Sequence, residues 1–276
     1  MKKWIRKILV VVASLFGLVV LIGVVGFFLM RSTPSWYEHT AMTDEQREAA
    51  AQRAVNKLAL VQNAAMQARV DELHSASTHP SEITISLTDD EINAFFEKWS
   101  VWQNIKESYE RYFTEPAIAL QDGRLILTAR MKQLGAVASL QFDPQVDEQG
   151  QLNLKLTAVS VGVIPVPQKF MADYQHQAAD AISPRLPAWR HRAAINSHGV
   201  ANGSAISAVM GTLLVDMLNQ QPADAVLFLP LIEGGSMAVK VRSVQIEDHT
   251  LTLVVEPMTA EQRTELVKRI KSGNDQ

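Results

Sequence analysis

An uninterrupted apolar run near the start of the chain, residues 8–30, most constrains what the chain can fold into. It reads ILVVVASLFGLVVLIGVVGFFLM, which is 23 consecutive residues without a charged side chain and with Ser14 as its one polar residue. At a rise of about 1.5 Å per residue, a helix of this length reaches roughly 34 Å, enough to cross a hydrocarbon core of about 30 Å. The run therefore predicts a transmembrane helix.

The charges that flank this run predict its orientation. Four cations lie within residues 1–7, whereas Arg31 is followed by no further cation until Arg47. Under the positive-inside rule the N-terminus stays cytoplasmic in a single-pass plasma (inner) membrane protein. A linker, residues 31–42, then leads to a periplasmic or extracellular domain, residues 43–276. The alternative is a cleaved signal peptide, although such peptides have a shorter apolar region and a small-x-small cleavage site.

The composition excludes several classes of protein. The chain carries a net charge of −3, and the four cations of the first 30 residues leave −7 for the remainder. That excess of acidic residues excludes general binding to nucleic-acid phosphates. A hydrophobic content of 47% excludes a disordered or collagen-like chain, and the absence of cysteine excludes thiol catalysis and thiolate metal sites.

Helix signals occur at three places. The capping-box patterns are Thr43 with Gln46, Thr88 with Glu91, and Thr259 with Gln262. After the first box, five apolar residues recur at helical spacing and predict a long amphipathic helix with a slim face that packs on a sheet or on another helix. They are Ala54, Leu58, Val61, Ala65 and Ala68. Residues 168–219 also have helical character, interrupted by SPRLP and NSHGVANGS, and include a buried helix over 204–218.

Strand signals cover much of the remainder. A short strand ITISL precedes Thr88, and AIALQDGRLILTARM predicts a hairpin that turns at Asp122-Gly123. AVASLQF and one long strand over 152–167 continue this series, and 237–257 forms a second alternating pair. We predict an α+β fold in which an antiparallel sheet packs on helices behind the N-terminal transmembrane helix and the long amphipathic helix.

Two clusters are candidates for contact with a ligand. An aromatic stripe, Ile92, Phe95, Trp99, Trp102, Tyr109 and Phe113, follows at mostly helical intervals in a predicted helix over 89–113. The stripe is either core or a wall that contacts acyl chains. The segment SPRLPAWRHR surrounds a tryptophan with arginines, which suits lipid headgroups or anionic polymers and also suits a solvated basic turn. Its candidate residues are Arg185, Trp189, Arg190 and Arg192.

Motifs for catalysis and metal binding are missing from the sequence. The seven histidines show no metal-ligand spacing, and no nucleophile elbow or phosphate-binding glycine loop occurs. Asp89, Asp90 and Glu91 suit an acid/base group, but charge at a helix N-terminus explains them more simply. We therefore predict a non-enzymatic protein without a metal or other cofactor.

Three segments, LTDDEINAFF, DGRLILTARM and VGVIPVP, together resemble the pattern of YpmS-like proteins. These are uncharacterised, single-pass, exported bacterial membrane proteins, and the resemblance covers about residues 83–170. It implies a helix start followed by an antiparallel sheet that ends in a glycine–proline segment. It implies no catalytic residues.

These observations predict a membrane-anchored envelope protein whose exported domain binds a membrane lipid or another amphiphile. The alternative is an interaction module that scaffolds an envelope complex with a protein partner, through the alanine-rich helix and the basic turn. An exported hydrolase is a third candidate. The predicted lipid or partner contacts are Phe95, Trp99, Trp102, Tyr109, Phe113, Arg185, Trp189, Arg190 and Arg192.

Overall fold

Two antiparallel sheets and the helices packed on them form the described part of the chain, which confirms the α+β prediction. The computed structural model describes residues 24–37, 42–74, 82–98, 110–195, 200–230 and 236–272. The helices are α1 (24–31), α2 (Asp44–His74), α3 (Asp89–Lys98), α4 (Gln168–Ile182), α5 (Leu186–Arg192), α6 (Gly203–Leu218) and α7 (Ala260–Ser272). The strands are β1 (Ile83–Thr88), β2 (Phe113–Gln121), β3 (Arg124–Met131), β4 (Val137–Val146), β5 (Gln151–Val161), β6 (Ile164–Pro165), β7 (Val200–Ala201), β8 (Ala223–Asp224), β9 (Val226–Pro230), β10 (Ser236–Glu247) and β11 (Thr250–Pro257).

The predicted transmembrane helix falls mostly outside the described residues, because the description begins at residue 24. Within the described ranges, none of the helices combines the length and the apolar character that a membrane crossing requires.

The first sheet has the order β1-β11-β10-β7, and β9 also pairs with β10. The predicted pair over 237–257 is confirmed as the β10–β11 hairpin, which turns at Asp248 and His249 with φ of 40° and 63°. Positive φ at both central residues matches the twist of the flanking strands. β1 joins the outer edge of β11 across a long stretch of chain, with Ile85 opposite Leu253.

Helices cover both faces of this first sheet. Val239 and Val241 of β10 point to α2, whose buried residues Leu58 and Val61 complete one core cluster. Ala238 directly precedes Val239 along the strand, so it faces the opposite side, where it packs with residues of α6 and α7. The alanine-rich face of α2 is thus confirmed as a packing face, because alanine lets the helix approach the sheet closely.

The second sheet is a meander with the order β2-β3-β4-β5-β6, and β8 also pairs with β5. The hairpin at Asp122-Gly123 is confirmed, with φ of 51° and 75°. The single long strand predicted over 152–167 is wrong: β5 ends at Val161 and the chain reverses at Gly162, where φ is +60°. The short β6 then pairs antiparallel with β5.

Two predicted helix boundaries are also wrong. The helix over 89–113 is described only as far as Lys98, and Phe113 begins β2 instead. The helical spacing of Phe113 was therefore accidental, since a cross-strand pair with Met131 fixes its conformation. The SPRLP segment does not interrupt the helical region but continues it as a 3₁₀ turn, Ser183–Arg185, that leads into α5.

Local helix-start signals are confirmed at all three capping boxes. The backbone N–H groups of Thr43, Thr88 and Thr259 donate to the side chains three residues later, at 2.9, 3.1 and 2.8 Å. In each case the threonine hydroxyl accepts in return from the backbone N–H at 3.2 Å. These bonds satisfy donors that the first turn of a helix would otherwise leave unpaired.

Candidate functional site

The segment 32–37, predicted as part of a linker, is packed on the second sheet, and we call it the docked segment. Pro34 and Tyr37 are buried, and the Trp36 indole N–H donates to the Ser139 hydroxyl at 3.1 Å. Ser139 belongs to β4 and is fully buried. Trp36 and Tyr37 are therefore part of the folded domain, because both side chains hydrogen-bond to the second sheet.

A polar network holds Tyr37 in this position. Its hydroxyl lies 3.0 Å from the Glu115 carbonyl oxygen and 3.2 Å from Glu115 Oε2. Arg130 Nε donates to the same Oε2 at 3.2 Å, and the Arg130 guanidinium carbon lies 5.6 Å from the Tyr37 ring centroid. Burial, reinforced by the Glu115 carboxylate, raises the pKa of Tyr37 to about 12. The tyrosine therefore stays neutral and remains a hydrogen-bond donor.

The C-terminal end of α1 contacts the turn between β5 and β6. The Val163 N–H donates to the Leu29 carbonyl oxygen at 3.3 Å. A Cβ atom placed on Gly162 would overlap the Met30 carbonyl oxygen. Only glycine permits this approach, both because of the close contact and because φ is positive. Arg31 Nε donates to the Leu134 carbonyl oxygen at 3.2 Å and so links α1 to the β3–β4 turn as well.

One end of the second sheet therefore contacts α1 at two turns, the β3–β4 turn and the β5–β6 turn. We call it the docked end, which comprises residues 110–113, the β3–β4 turn at 131–136 and the β5–β6 turn at 161–164. In an antiparallel meander these three segments lie at one end, and the Lys132 N–H donates to the Tyr112 carbonyl oxygen at 2.9 Å. The docked segment and the docked end form the candidate site with the most contacts to support it.

The described residues of the predicted aromatic stripe do not form one surface. Phe95 on α3 packs against the core beneath α2 and makes an edge-to-face contact with Phe96, with ring centroids 6.1 Å apart. Phe113 lies at the start of β2, in the docked end. Trp99, Trp102 and Tyr109 lie outside the described residues. For Phe95 the core interpretation therefore fits the structure.

The predicted basic turn is a short helix whose tryptophan points inward. A Cβ on Gly211 of α6 would lie 2.8 Å from Trp189 Cζ3, so the indole packs directly on the backbone of α6. Arg190 Nη2 donates to the Thr212 hydroxyl at 3.3 Å. Arg185 and Arg192 are exposed. Trp189 joins the core on the face of the first sheet opposite to Phe95, so the two predicted clusters do not meet.

Asp216 on α6 has a perturbed acidity. Burial raises its pKa to about 6, Arg190 opposes that increase, and Asp224 adds to it. A carboxyl group with this pKa can exchange a proton near neutral pH. The neighbouring carboxylate of Asp224 is bound to Arg269, with 2.7 Å between Nη1 and Oδ2.

The acidic triplet at the start of α3 is structural. Glu91 is 2% exposed and binds Lys57 Nζ at 2.6 Å and Arg53 Nε at 3.2 Å, which joins α3 to α2. Burial raises its pKa, but the bonds from Lys57 and the Thr88 N–H outweigh that effect and lower it overall. Asp89 Oδ2 lies 2.8 Å from His249 Nδ1 of the β10–β11 turn, and this contact raises the pKa of the imidazole.

A polar cleft of about 480 Å³ opens between the β4–β5 turn, the first sheet and α7. Its charged lining has both signs: Asp224, Lys240, Glu261, Glu265 and Arg269. A Cβ on Gly150 would lie 3.2 Å from Lys240 Nζ, so glycine lets the ammonium group approach the turn. Across the described ranges, no three histidine, aspartate or glutamate side chains come close enough together to bind a metal ion.

The docked segment was missed at the sequence level, although two signals pointed to it. Proline followed by two aromatic residues, in STPSWY, is more apolar than a free linker requires. Glycine inside the apolar run of VSVGVIPV indicates a bulge or a close backbone approach. Neither signal names the partner surface, which lies about a hundred residues away along the chain.

Comparisons with protein-family models, curated proteins and solved structures found no match to this chain.

Proposed function

We propose that this chain is a single-pass membrane protein of the cell envelope, non-enzymatic, whose exported α+β domain binds a lipid or another amphiphile beside its own anchor. The packing of the docked segment carries the proposal, because it joins the predicted anchor to the domain without a flexible spacer. A domain held in this way stays within reach of the leaflet. The likeness of residues 83–170 to YpmS-like proteins is consistent with it and stays a prediction.

The docked segment also favours a retained anchor over a cleaved signal peptide. Cleavage after Leu29 or Met30 would remove the Leu29 carbonyl that accepts from Val163, and cleavage after Arg31 would also remove the side chain that binds the Leu134 carbonyl. The Val163 N–H would then lose its acceptor, and Gly162 would no longer lie against the Met30 carbonyl oxygen. An anchor that remains attached keeps these contacts.

Arg185 and Arg192 are the exposed cations that suit an anionic headgroup in this proposal. They lie on either side of the inward-pointing Trp189. Guanidinium groups bind phosphate oxygens in a bidentate manner, which gives orientation as well as attraction. The apolar portion of the ligand would then contact neighbouring apolar side chains such as Leu214 of α6, which is exposed.

The first experiment tests the anchor. We expect the full chain to resist alkaline extraction from membranes and to retain its first 30 residues in an intact mass measurement. A reporter fused after residue 276 should be active only outside the cytoplasm. A chain that is released by alkali, or that lacks those residues, would refute the proposal.

The second experiment tests amphiphile binding. Native mass spectrometry of the full chain purified from membranes should detect a bound lipid. The double variant Arg185→Glu with Arg192→Glu should retain several-fold less anionic lipid than the wild type. Its control, Lys268→Glu with Lys271→Glu, makes the same charge change on the exposed side of α7 and should retain as much as the wild type. Equal retention by both double variants would exclude α5 as the contact.

A scaffolding module is the second candidate function, and the mixed charge of the cleft favours it. Asp224, Lys240 and Glu265 present both signs in an opening that also has apolar lining, and this mixture suits a polypeptide. Crosslinking in cells from a residue of this cleft should then capture one protein neighbour. A chain that never crosslinks from the cleft would count against the scaffold.

A further inference from the structure

We propose that the docked end of the second sheet is itself a lipid-contact surface, which inserts apolar side chains into the headgroup region of an anionic leaflet. The inference rests on the proposed anchor, and it identifies which part of the exported domain the leaflet touches. Among the predicted contact residues that the structure describes, Phe113 lies at this surface, where β2 begins.

The depth of this surface follows from one hydrogen bond. Leu29 is the second-to-last residue of the apolar run 8–30, so in a membrane-spanning helix it lies at the boundary of the hydrocarbon core. The Val163 N–H donates to the Leu29 carbonyl oxygen at 3.3 Å. Residues that bond to the backbone of Leu29 must share its depth. The β5–β6 turn therefore lies at the same level as the end of the anchor.

The side chains at this level suit an interface between water and lipid. Val163, Leu134 and Tyr112 are 42%, 47% and 53% exposed, although each belongs to a different connection. Exposed apolar residues scattered over a surface need no explanation, but three at the tips of adjacent segments beside an apolar helix form a patch. Tyrosine is also typical of the headgroup level, since its ring is apolar and its hydroxyl is polar.

The charges around the patch have the sign that an anionic leaflet requires. Arg31, Arg111 and Lys132 are exposed at or beside the docked end, where Glu110 and Glu115 are the nearby acidic residues and Arg130 pairs with Glu115. The opposite end of the sheet carries Asp147 and Glu148 in the β4–β5 turn. A strand of ten residues separates the two ends by roughly 33 Å. The charge asymmetry therefore runs along the strands. With the docked end at the leaflet, the cations of that end face the lipid phosphates.

Arg31 has the geometry of a residue at such an interface. Its guanidinium carbon lies 4.5 Å from the Phe27 ring centroid, and its Nε donates to the Leu134 carbonyl oxygen. The guanidinium group therefore stacks on an apolar ring and bonds to a backbone carbonyl at the same time, so this cation is held against both the end of α1 and the docked end.

The absence of cysteine from the chain makes the test direct, because single cysteines can be placed without background. Leu134→Cys, Val163→Cys and the control Glu148→Cys, each in the full chain, receive a nitroxide label and are reconstituted in phosphatidylcholine vesicles that contain phosphatidylglycerol. Electron paramagnetic resonance measures collisions of each label with oxygen, which concentrates in lipid, and with a water-soluble nickel chelate.

We expect the ratio of oxygen to nickel collisions to be several-fold higher at positions 134 and 163 than at 148. A further label, Val19→Cys, reports whether the apolar run spans the bilayer. If position 19 reports lipid while 134 and 163 match 148, the lipid-contact surface is refuted and the anchor stands. If position 19 reports water, the proposed function fails first.

The role of the cations has its own readout. The double variant Arg111→Glu with Lys132→Glu should lower the collision ratio at position 134 in vesicles with phosphatidylglycerol. The control Arg124→Glu, at the opposite end of the sheet, should leave that ratio unchanged. An unchanged ratio in the double variant would overturn the electrostatic part of the proposal.

Discussion

Gly162 is the residue on which the contact between α1 and the second sheet most depends. Its φ of +60° places it in the left-handed region, and the Met30 carbonyl oxygen lies where a side chain would begin. These two constraints are separable, because Gly123 has a similar φ of +75° with no atom within 4 Å of the place a Cβ would occupy. Substitutions at Gly162 and Gly123 can therefore be compared to distinguish the cost of backbone strain from the cost of the lost contact.

We predict that Gly162→Ala destabilises the chain more than Gly123→Ala does. Gly123→Ala should cost about 1–2 kcal/mol, which is the left-handed penalty of a residue with a Cβ. Gly162→Ala adds a clash with backbone and should separate α1 from the β5–β6 turn. Hydrogen exchange should show faster exchange of the Val163 amide in Gly162→Ala alone. Equal protection of that amide in both variants would contradict the proposed contact.

Glu91 combines two roles in one buried carboxylate, since it caps α3 and binds two cations of α2. Glu91→Gln keeps an acceptor for the Thr88 N–H but removes the charge that pairs with Lys57. We predict a loss of about 1–3 kcal/mol in the free energy of unfolding at neutral pH, measured by urea titration. Glu91→Ala should lose about 1 kcal/mol more, because the cap is also removed.

The pH dependence of this site has a definite sign. Because the pKa of Glu91 is lowered in the folded state, its contribution is complete above the ordinary glutamate value of about 4.3 and is lost as the pH falls further, through the folded-state pKa. In Glu91→Gln, the free energy of unfolding should not show the part of its decrease at low pH that protonation of Glu91 causes. The same acid profile in wild type and variant would show that the ion pairs add nothing to stability.

At the scale of elements, a contact is predictable from the sequence when the residues that make it lie close together along the chain. Capping boxes and the Asp122-Gly123 hairpin are predictable because their partners lie within a few residues. The pairing of β1 with β11 and the packing of residues 32–37 on β4 join partners separated by a hundred residues or more. A periodic pattern reports that a face is buried but does not report against what.

The contact residues predicted from the sequence show the same division. The Arg185–Arg192 segment is recognisable from composition, but its helical geometry turns Trp189 onto Gly211, a contact that no local pattern encodes. Phe113 followed a helical spacing and lies in a strand, because pairing with Met131 overrides the interval. The contact roles of Arg185 and Arg192 stay predictions, and the helical spacing that linked Phe113 to the other aromatic residues is wrong for Phe113.

Asp216 links α6 to α5 and gives the element-scale prediction. Its pKa is raised to about 6, above the unfolded value of about 3.9, so the fold disfavours the ionised form. Stability should therefore fall as the pH rises from about 4 to about 6, and then level off. Asp216→Asn removes the charge and should be more stable than the wild type by about 1–2 kcal/mol near pH 7.

The measurement is thermal unfolding followed by circular dichroism between these pH values. Asp224→Asn is a coupled comparison, because it removes the ion pair with Arg269 and also one cause of the raised pKa of Asp216, so it should reduce the pH dependence without abolishing it. A wild-type chain and an Asp216→Asn variant with parallel pH profiles would contradict the assignment.

At the scale of the whole molecule, the two sheets are supported differently. The first sheet is covered by α2 on one face and by α6 and α7 on the other. The second sheet depends in part on residues 32–37 for cover, since Trp36 supplies the partner of the fully buried Ser139 hydroxyl. The docked segment is therefore part of the folded domain and also its connection to the apolar run.

This difference predicts the effect of truncation. A chain of residues 30–276 keeps the docked segment, whereas a chain of residues 42–276 exposes its footprint on β4 and leaves the Ser139 hydroxyl without the indole donor. Full burial of a large apolar side chain is worth about 1.5–3 kcal/mol, so loss of Pro34 and Tyr37 together should cost about 3–5 kcal/mol of unfolding free energy.

Because the second sheet loses this stabilisation, hydrogen exchange should accelerate in β3 and β4 while β10 and β11 stay protected. Equal unfolding free energies for the two chains would show that residues 32–37 rest on the sheet without stabilising it, and the proposed connection between the apolar run and the domain would then lose its physical basis.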